Sequence, residues 1–221
     1  MRKVPLPNGA KLYLATALGE ALAYGPASNA AEVVITIASA LQANDLVIID
    51  SDDYWPELTG RVARVKTAAE NSITLAGVNT SNLDKFPAGG QISLIPLLAD
   101  PSWQRLPYIP SFATSGGELQ TGSSSYLDLD DAVEYANGRS ARRLEYTVSW
   151  KEGSAGRQAL IDANGDDVAV HRLVYKDGTA TYYVGHLAYD DAPSTTRDEE
   201  MVTTSTVLLR HAPSFIGRAL P

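Results

Sequence analysis

The chain has 221 residues, of which 18 are Lys or Arg and 26 are Asp or Glu, so its formal net charge is -8 and its sequence pI is about 4.8. Apolar residues make up 44% and charged residues 20%, values typical of globular proteins, which excludes disordered and collagen-like chains. The acid excess argues against tight binding of nucleic acid, and the lack of cysteine excludes disulfides, thiolate nucleophiles and cysteine-ligated metal sites.

Short runs rich in β-branched residues predict about ten strands. They are, in chain order, 12–18, 32–38, 46–50, 61–66, 72–76, 91–95, 142–150, 168–175, 179–190 and 201–210. The clearest is 142–150, where apolar and polar residues alternate and predict a strand with one buried face. Asp177-Gly178 separates two of the runs and is typical of a tight hairpin turn.

One helix is expected over 155–163, because Ser154 can cap its first turn and Asn164-Gly165 suits a helix stop. A second, shorter helix is predicted over 130–136, before Asn137-Gly138. We therefore expect a mainly β protein, a β-sandwich or barrel-like fold with one flanking helix and long loop arms. Neither a linker nor an internal repeat divides the chain, so 1–221 is predicted to be a single domain.

Residues 100–125 are rich in Pro, Gly and Ser and carry Trp103, Tyr108 and Phe112. A long irregular segment of this kind is often a functional arm, so it is a candidate docking element. The alternative, a covering loop whose aromatic rings close the core, carries equal weight.

Catalytic motifs are missing from the sequence. It has no phosphate-binding loop, dinucleotide fingerprint, nucleophile elbow or H-E-x-x-H pair. Its three histidines (His171, His186 and His211) are scattered, and the neighbouring carboxylates Asp128, Asp130 and Asp131 read as a solvated surface. We therefore expect no enzyme activity, cofactor or metal, and a hydrolase that uses these groups remains a minority hypothesis. No apolar run reaches the roughly 18 residues of a membrane span, so no membrane partner is expected.

Several segments, in their order, resemble a known family. In the first half they are Gly60-Arg61-Val62-Ala63-Arg64-Val65, Ser72-Ile73-Thr74-Leu75-Ala76-Gly77-Val78-Asn79-Thr80 and Phe86-Pro87-Ala88-Gly89-Gly90. In the second half they are Ser115-Gly116-Gly117-Glu118, Leu127-Asp128-Leu129-Asp130-Asp131, Val148-Ser149-Trp150 and Gln158-Ala159-Leu160. Over roughly residues 31–211 the chain resembles the tail tube proteins, the major tail proteins of phages with long, non-contractile tails.

This resemblance implies a β-sandwich subunit that assembles with copies of itself into hexameric rings in the host cytoplasm. Stacked rings would form the virion tail tube, enclose the tape measure protein, meet the tail terminator and distal tail proteins, and conduct DNA without binding it specifically. Residues 31–97 would be either an added barrel-like subdomain on the outer wall or part of the sandwich. The alternative is another virion adaptor or a carbohydrate-binding sandwich that uses the three aromatic residues of 100–125.

Site residues follow from the same resemblance. Most of the acidity lies after residue 110, where the net charge is -6 against -2 before it. Glu118, Asp128, Asp130 and Asp131 are the candidate lumen or inter-subunit acidic residues. Trp103, Tyr108 and Phe112 are the candidate anchors of a ring-stacking arm.

Overall fold

The computed structural model describes residues 9–125, 130–195 and 197–217. Within these ranges it contains sixteen strands, one α-helix and one 3-10 turn, Pro56–Leu58. The strands are β1 (Lys11–Ala15), β2 (Gly25–Pro26), β3 (Val34–Ile35), β4 (Leu46–Asp50), β5 (Val62–Ala69), β6 (Ser72–Ala76), β7 (Gln91–Pro96), β8 (Trp103–Leu106), β9 (Ser111–Ser115), β10 (Leu119–Ser124), β11 (Val133–Arg139), β12 (Arg143–Ser149), β13 (Ala169–Val174), β14 (Ala180–Ser194), β15 (Val202–Leu209) and β16 (Ser214–Ile216). The helix α1 spans Ala155–Asp162.

A large antiparallel sheet forms the body of the molecule. Its order is β8-β1-β13-β14-β15-β12-β9, with β16 pairing on β14. In β12 the alternating Leu144, Tyr146 and Val148 are buried while Arg143 and Glu145 are exposed, as the sequence pattern predicts. The hairpin between β13 and β14 also forms as predicted, with Gly178 at φ +83° in its turn.

Helix α1 flanks one face of this sheet. The Ser154 side chain accepts a hydrogen bond from the Arg157 amide, which caps the first turn as the sequence predicts. Leu160 is fully buried in a core that includes Leu12, Leu106 and Tyr146. The predicted fold class, mainly β with one flanking helix, is thereby confirmed.

The six strands β2 to β7 form a second sheet that closes on itself. Its order is β2-β7-β4-β5-β6-β3, and a bridge between Ala27 and Ile35 joins β3 back to β2. The interior is apolar and contains the T-shaped pair of Trp55 and Phe86, whose ring centroids lie 5.6 Å apart. We call this unit the small barrel. That it is an addition to the outer wall of a tube stays a prediction.

The small barrel packs against the face of the large sheet opposite α1. Ile48 and Val62 of the barrel share a buried cluster with Val170, Tyr182 and Val184 of β13 and β14. The Val62 amide also donates a hydrogen bond to the Ser214 hydroxyl at 3.0 Å, which ties the barrel to β16.

Two local predictions are wrong. Residues 130–136 do not form a helix, because Val133–Arg139 is a strand whose backbone pairs with β10. Residues 100–125 are not irregular throughout: they contain β8, β9 and β10, and the first two are strands at opposite sides of the large sheet. Pro107, Pro110 and the pair Gly116-Gly117 separate these short strands. The sequence therefore shows no long alternating run that would indicate a strand.

Candidate assembly surface

One edge of the large sheet continues into a hairpin that leaves the body. β9 pairs with β12, and beyond it β10 pairs with β11. Two backbone hydrogen bonds connect the pairs: Gly117 N–H donates to Ser140 O, and Ser140 N–H donates to Glu118 O, each at 3.0 Å. Residues 111–124 and 133–149 therefore pair along one long, bent antiparallel ribbon. We call its distal part, residues 116–140, the arm.

The bend at the root of the arm requires glycine. Gly116 and Gly117 both have φ +84°. A Cβ on Gly116 would lie 1.9 Å from the carbonyl oxygen of Ala141, and one on Gly117 would lie 2.5 Å from the guanidinium carbon of Arg142. Because L side chains rarely adopt this backbone conformation, the glycine pair sets the direction in which the arm leaves the sheet.

Side-chain hydrogen bonds fix the same root. The Ser140 hydroxyl accepts from the Glu118 amide at 3.1 Å and donates to the Glu118 carboxylate. This bond from Ser140 is the main reason why the pKa of Glu118 lies below its usual value. Arg139 donates from its guanidinium to the carbonyl of Gly117 at 2.9 Å. The arm is therefore held at a defined angle by contacts that the exposed Glu118 helps to make.

Beyond its root the arm is a two-stranded sheet with one apolar face. Val133 and Tyr135 lie on that face and are 45% and 51% exposed. The ring of Tyr135 lies across Gly122, its partner on β10. Glu134 and the neighbouring Ser123 lie on the other face. Among the strands and helices that the structure describes, β10 and β11 make extensive contacts only with each other. Because an isolated two-stranded hairpin is marginally stable in water, we expect a partner to bury this apolar face and stabilise the arm.

The arm is also strongly acidic. Residues 116–140 hold five carboxylates and one arginine, a net charge of -4 against -8 for the whole chain. Of the four acidic residues singled out from the sequence, Glu118, Asp130 and Asp131 are exposed on the arm, and Asp128 lies outside the described residues. The structure thus brings three of the four onto one element.

The three aromatic residues of 100–125 do not lie together. The Phe112 ring packs on Tyr146 and Tyr183, with centroids 6.4 and 5.6 Å away. Trp103 packs edge-on against Tyr182, and the Arg172 guanidinium lies 4.2 Å above its ring. Tyr108 is 75% exposed. Only Tyr108 therefore presents its ring to solvent.

The histidines do not form a common site with the carboxylates of the arm. His171 is fully buried, and its Nε2 lies 2.7 Å from the Tyr146 hydroxyl, whereas Asp130 is exposed. Burial lowers the pKa of His171 to about 3, which keeps its ring neutral. Exposed His186 contacts Asp167 at 3.1 Å. Within the described ranges, no group of three or more His, Cys, Asp or Glu side chains could hold a metal ion. No helix in these ranges has the length and apolarity needed to cross a membrane.

Comparison with known proteins provides a direct family match. The family described as phage tail tube protein, TTP, matches residues 53–218, about three quarters of the chain. The matched region takes in the large sheet from β8 onwards, α1, the whole arm and half of the small barrel. Curated proteins gave no match. The resemblance seen in the sequence is therefore confirmed, and the chain belongs to the phage tail tube protein family, a family of structural components of the virion tail.

Proposed function

We propose that this protein is a non-enzymatic tail tube subunit that assembles with copies of itself into stacked hexameric rings. The observation that carries the proposal is the arm, whose Val133 and Tyr135 are left about half exposed by the described part of the same subunit. Such a face is stabilised when another subunit buries it, and a tube offers such a neighbour at every position. Family membership supports the proposal that this neighbour is another copy of the chain.

The rings would enclose the tape measure protein during assembly in the host cytoplasm and conduct DNA at infection. They would end at the tail terminator and distal tail proteins. A net charge of -8 suits a conduit, because each retained phosphate contact would oppose sliding of the DNA. The acidic protein would surround the DNA without holding it.

Excision of the arm tests the proposal. Gly117 and Ser140 face each other across the hairpin, so residues 118–139 can be replaced by Asn-Gly, which closes a two-residue turn. A deletion of residues 111–124 would be a poorer test, because it would also remove β9 and the Phe112 ring that packs against the core. We expect the excised chain to fold with an unchanged thermal midpoint and to form no tubes, whereas the wild type forms rings and tubes in negative-stain electron micrographs.

A face-specific pair of variants controls for loss of the arm as a whole. Val133→Ser with Tyr135→Ser removes the apolar face, and Thr121→Ala with Ser123→Ala changes the opposite face of the same two strands. We expect only the first pair to abolish tube growth. A strictly monomeric wild type at high concentration, even in the presence of tail initiator complexes, would contradict the assembly proposal. Normal growth of the excised chain would contradict the role of the arm.

A further inference from the structure

Two arginines in the small barrel, Arg61 and Arg64, have no anionic partner among the described residues. Arg61 donates a guanidinium hydrogen bond to the carbonyl of Gly77 at 2.7 Å, and Arg64 donates to the carbonyl of Gly217. Among the described residues, neither guanidinium lies within 4.0 Å of a carboxylate oxygen. Burial lowers the pKa of Arg61, so its charge is held in a partly desolvated place. Cations in such places are usually compensated by an anion.

These arginines line a groove of about 390 Å³ between the small barrel and β16. His211 also lines the groove, as does Phe215, whose 64% exposure puts it at the rim. The described residues that line the groove include no carboxylate. The groove is thus a cationic and partly apolar feature on a protein of net charge -8.

His211 in this groove is itself partly buried. Burial is the main reason why its pKa lies below the usual value, and nearby Arg61, Arg142 and Lys85 act in the same direction. A lowered pKa leaves the imidazole neutral at neutral pH, so the positive charge among the described lining residues is that of Arg61 and Arg64.

The arm has the complementary properties. It carries five carboxylates against one arginine, and its apolar face presents Val133 and Tyr135. Opposite charges gain more in a partly desolvated groove than on an open surface, because solvent screening is weaker there. A rim that carries Phe215 also gives an aromatic side chain of the arm a ring to pack on.

We infer that the groove lined by Arg61 and Arg64 receives the acidic arm of a second copy of this chain. This inference rests on the proposed function and names the surface on which the arm docks. Each subunit would offer one arm and one groove, two different surfaces, so the contact is heterologous and propagates from subunit to subunit. A nucleic acid fits less well, because the net charge repels a polyanion and the rim is apolar.

Charge-swap complementation between full-length chains tests the inference. One chain carries Arg61→Glu and Arg64→Glu, and the other carries Asp130→Lys and Asp131→Lys. Alone, each chain places its two substituted side chains against charges of the same sign, and we expect the concentration needed for assembly to rise about tenfold. In an equal mixture, positions 130 and 131 of each arm can meet positions 61 and 64 of opposite charge on the other chain, so assembly should return to near the wild-type concentration in sedimentation velocity.

Matched variants control the experiment. Lys66→Glu changes a cation on β5 that already pairs with Glu32, and it should leave assembly unchanged. Circular dichroism establishes that each variant is folded. If the two glutamates prevent folding, Arg61→Lys with Arg64→Lys replaces them as the test, because it keeps the charge and should retain most of the assembly.

The possible outcomes separate the inference from the function on which it rests. If the chain with Arg61→Glu and Arg64→Glu forms tubes at the wild-type concentration, or if the mixture is no better than its parts, the groove inference is overturned and the tube proposal stands. If a fluorescent DNA duplex binds the wild type through Arg61 and Arg64 at physiological salt while the arm substitutions change nothing, a nucleic acid occupies the groove instead. If the wild type forms no rings but the mixed variants still associate, the docking contact stands and the ring proposal fails.

Discussion

Acidification probes the buried pair that His171 and Tyr146 form inside the large sheet. In the unfolded chain the pKa of a histidine is about 6.5, and in the folded protein burial lowers that of His171 to about 3. Between these two pKa values the unfolded state binds a proton that the folded state does not bind. The free energy of unfolding therefore falls as the pH drops from about 6.5 towards 3. Between about pH 7.5 and pH 5 this single group removes about 2 kcal/mol from the free energy of unfolding.

Urea unfolding at a series of pH values measures this loss. His171→Gln keeps a group that can hydrogen-bond to the Tyr146 hydroxyl but does not titrate, so its stability should change by about 2 kcal/mol less over the same range. Burial also lowers the pKa of His211, which adds a loss of the same sign that both proteins share. Carboxylates such as Glu118, whose pKa is lowered, contribute only at more acidic pH.

Two results would refute this reasoning. Equal pH slopes for the wild type and His171→Gln would show that His171 does not titrate on unfolding. If the variant does not fold, NMR of the wild-type imidazole gives the answer instead, because its resonances should show no protonation shift down to about pH 5. Titration near pH 6 would mean that the ring is not desolvated as the structure shows.

Two further predictions concern stability. Gly116→Ala should cost about 1–3 kcal/mol in chemical unfolding, because the new Cβ meets the carbonyl of Ala141, whereas Gly89→Ala, at a similar φ of +89° but in open space, should cost less; equal losses would disprove the steric argument. Phe112→Ala should lower the free energy of unfolding by about 3 kcal/mol and Tyr108→Ala by less than about 1 kcal/mol, since only Phe112 packs in the core; the reverse order in urea unfolding would contradict the fold.

The parts of the fold that follow from the sequence are those with a local physical signal. The alternation along 142–150 indicates a strand with one buried face, Ser154 indicates the start of a helix, and Asp177-Gly178 indicates a turn. Each depends on residues close in sequence, so each could be read without knowledge of the fold. The family resemblance came from the order of such segments, which a single fold imposes.

The arm lacks such a signal. No residue of β11 is buried, so its sequence has no need to alternate, and its Ala, Glu and Tyr residues are as compatible with a short helix. Cross-strand hydrogen bonds to β10 decide for a strand, and these cannot be read locally. The sequence does contain Gly116-Gly117, but only the positive φ angles of both residues show that this pair forms the bend at the root of the arm.

The groove was also beyond sequence reasoning, for a different reason. Arg61 immediately precedes β5 and Arg64 lies within it. The other residues that line the groove include 213–217, about 150 positions later in the chain. Their lack of a carboxylate partner is a property of the packed structure. Composition shows only that the chain is acidic overall, so it gives no indication of the small cationic groove lined by Arg61 and Arg64.

A cryo-electron microscopy reconstruction of the assembled wild-type protein tests the central claim most directly. We predict stacked rings with six subunits, in which the arm of each subunit is buried against a neighbouring copy and Tyr135 is no longer exposed. A tube in which the arms project freely into solvent, or an assembly that does not close into rings, would contradict the account.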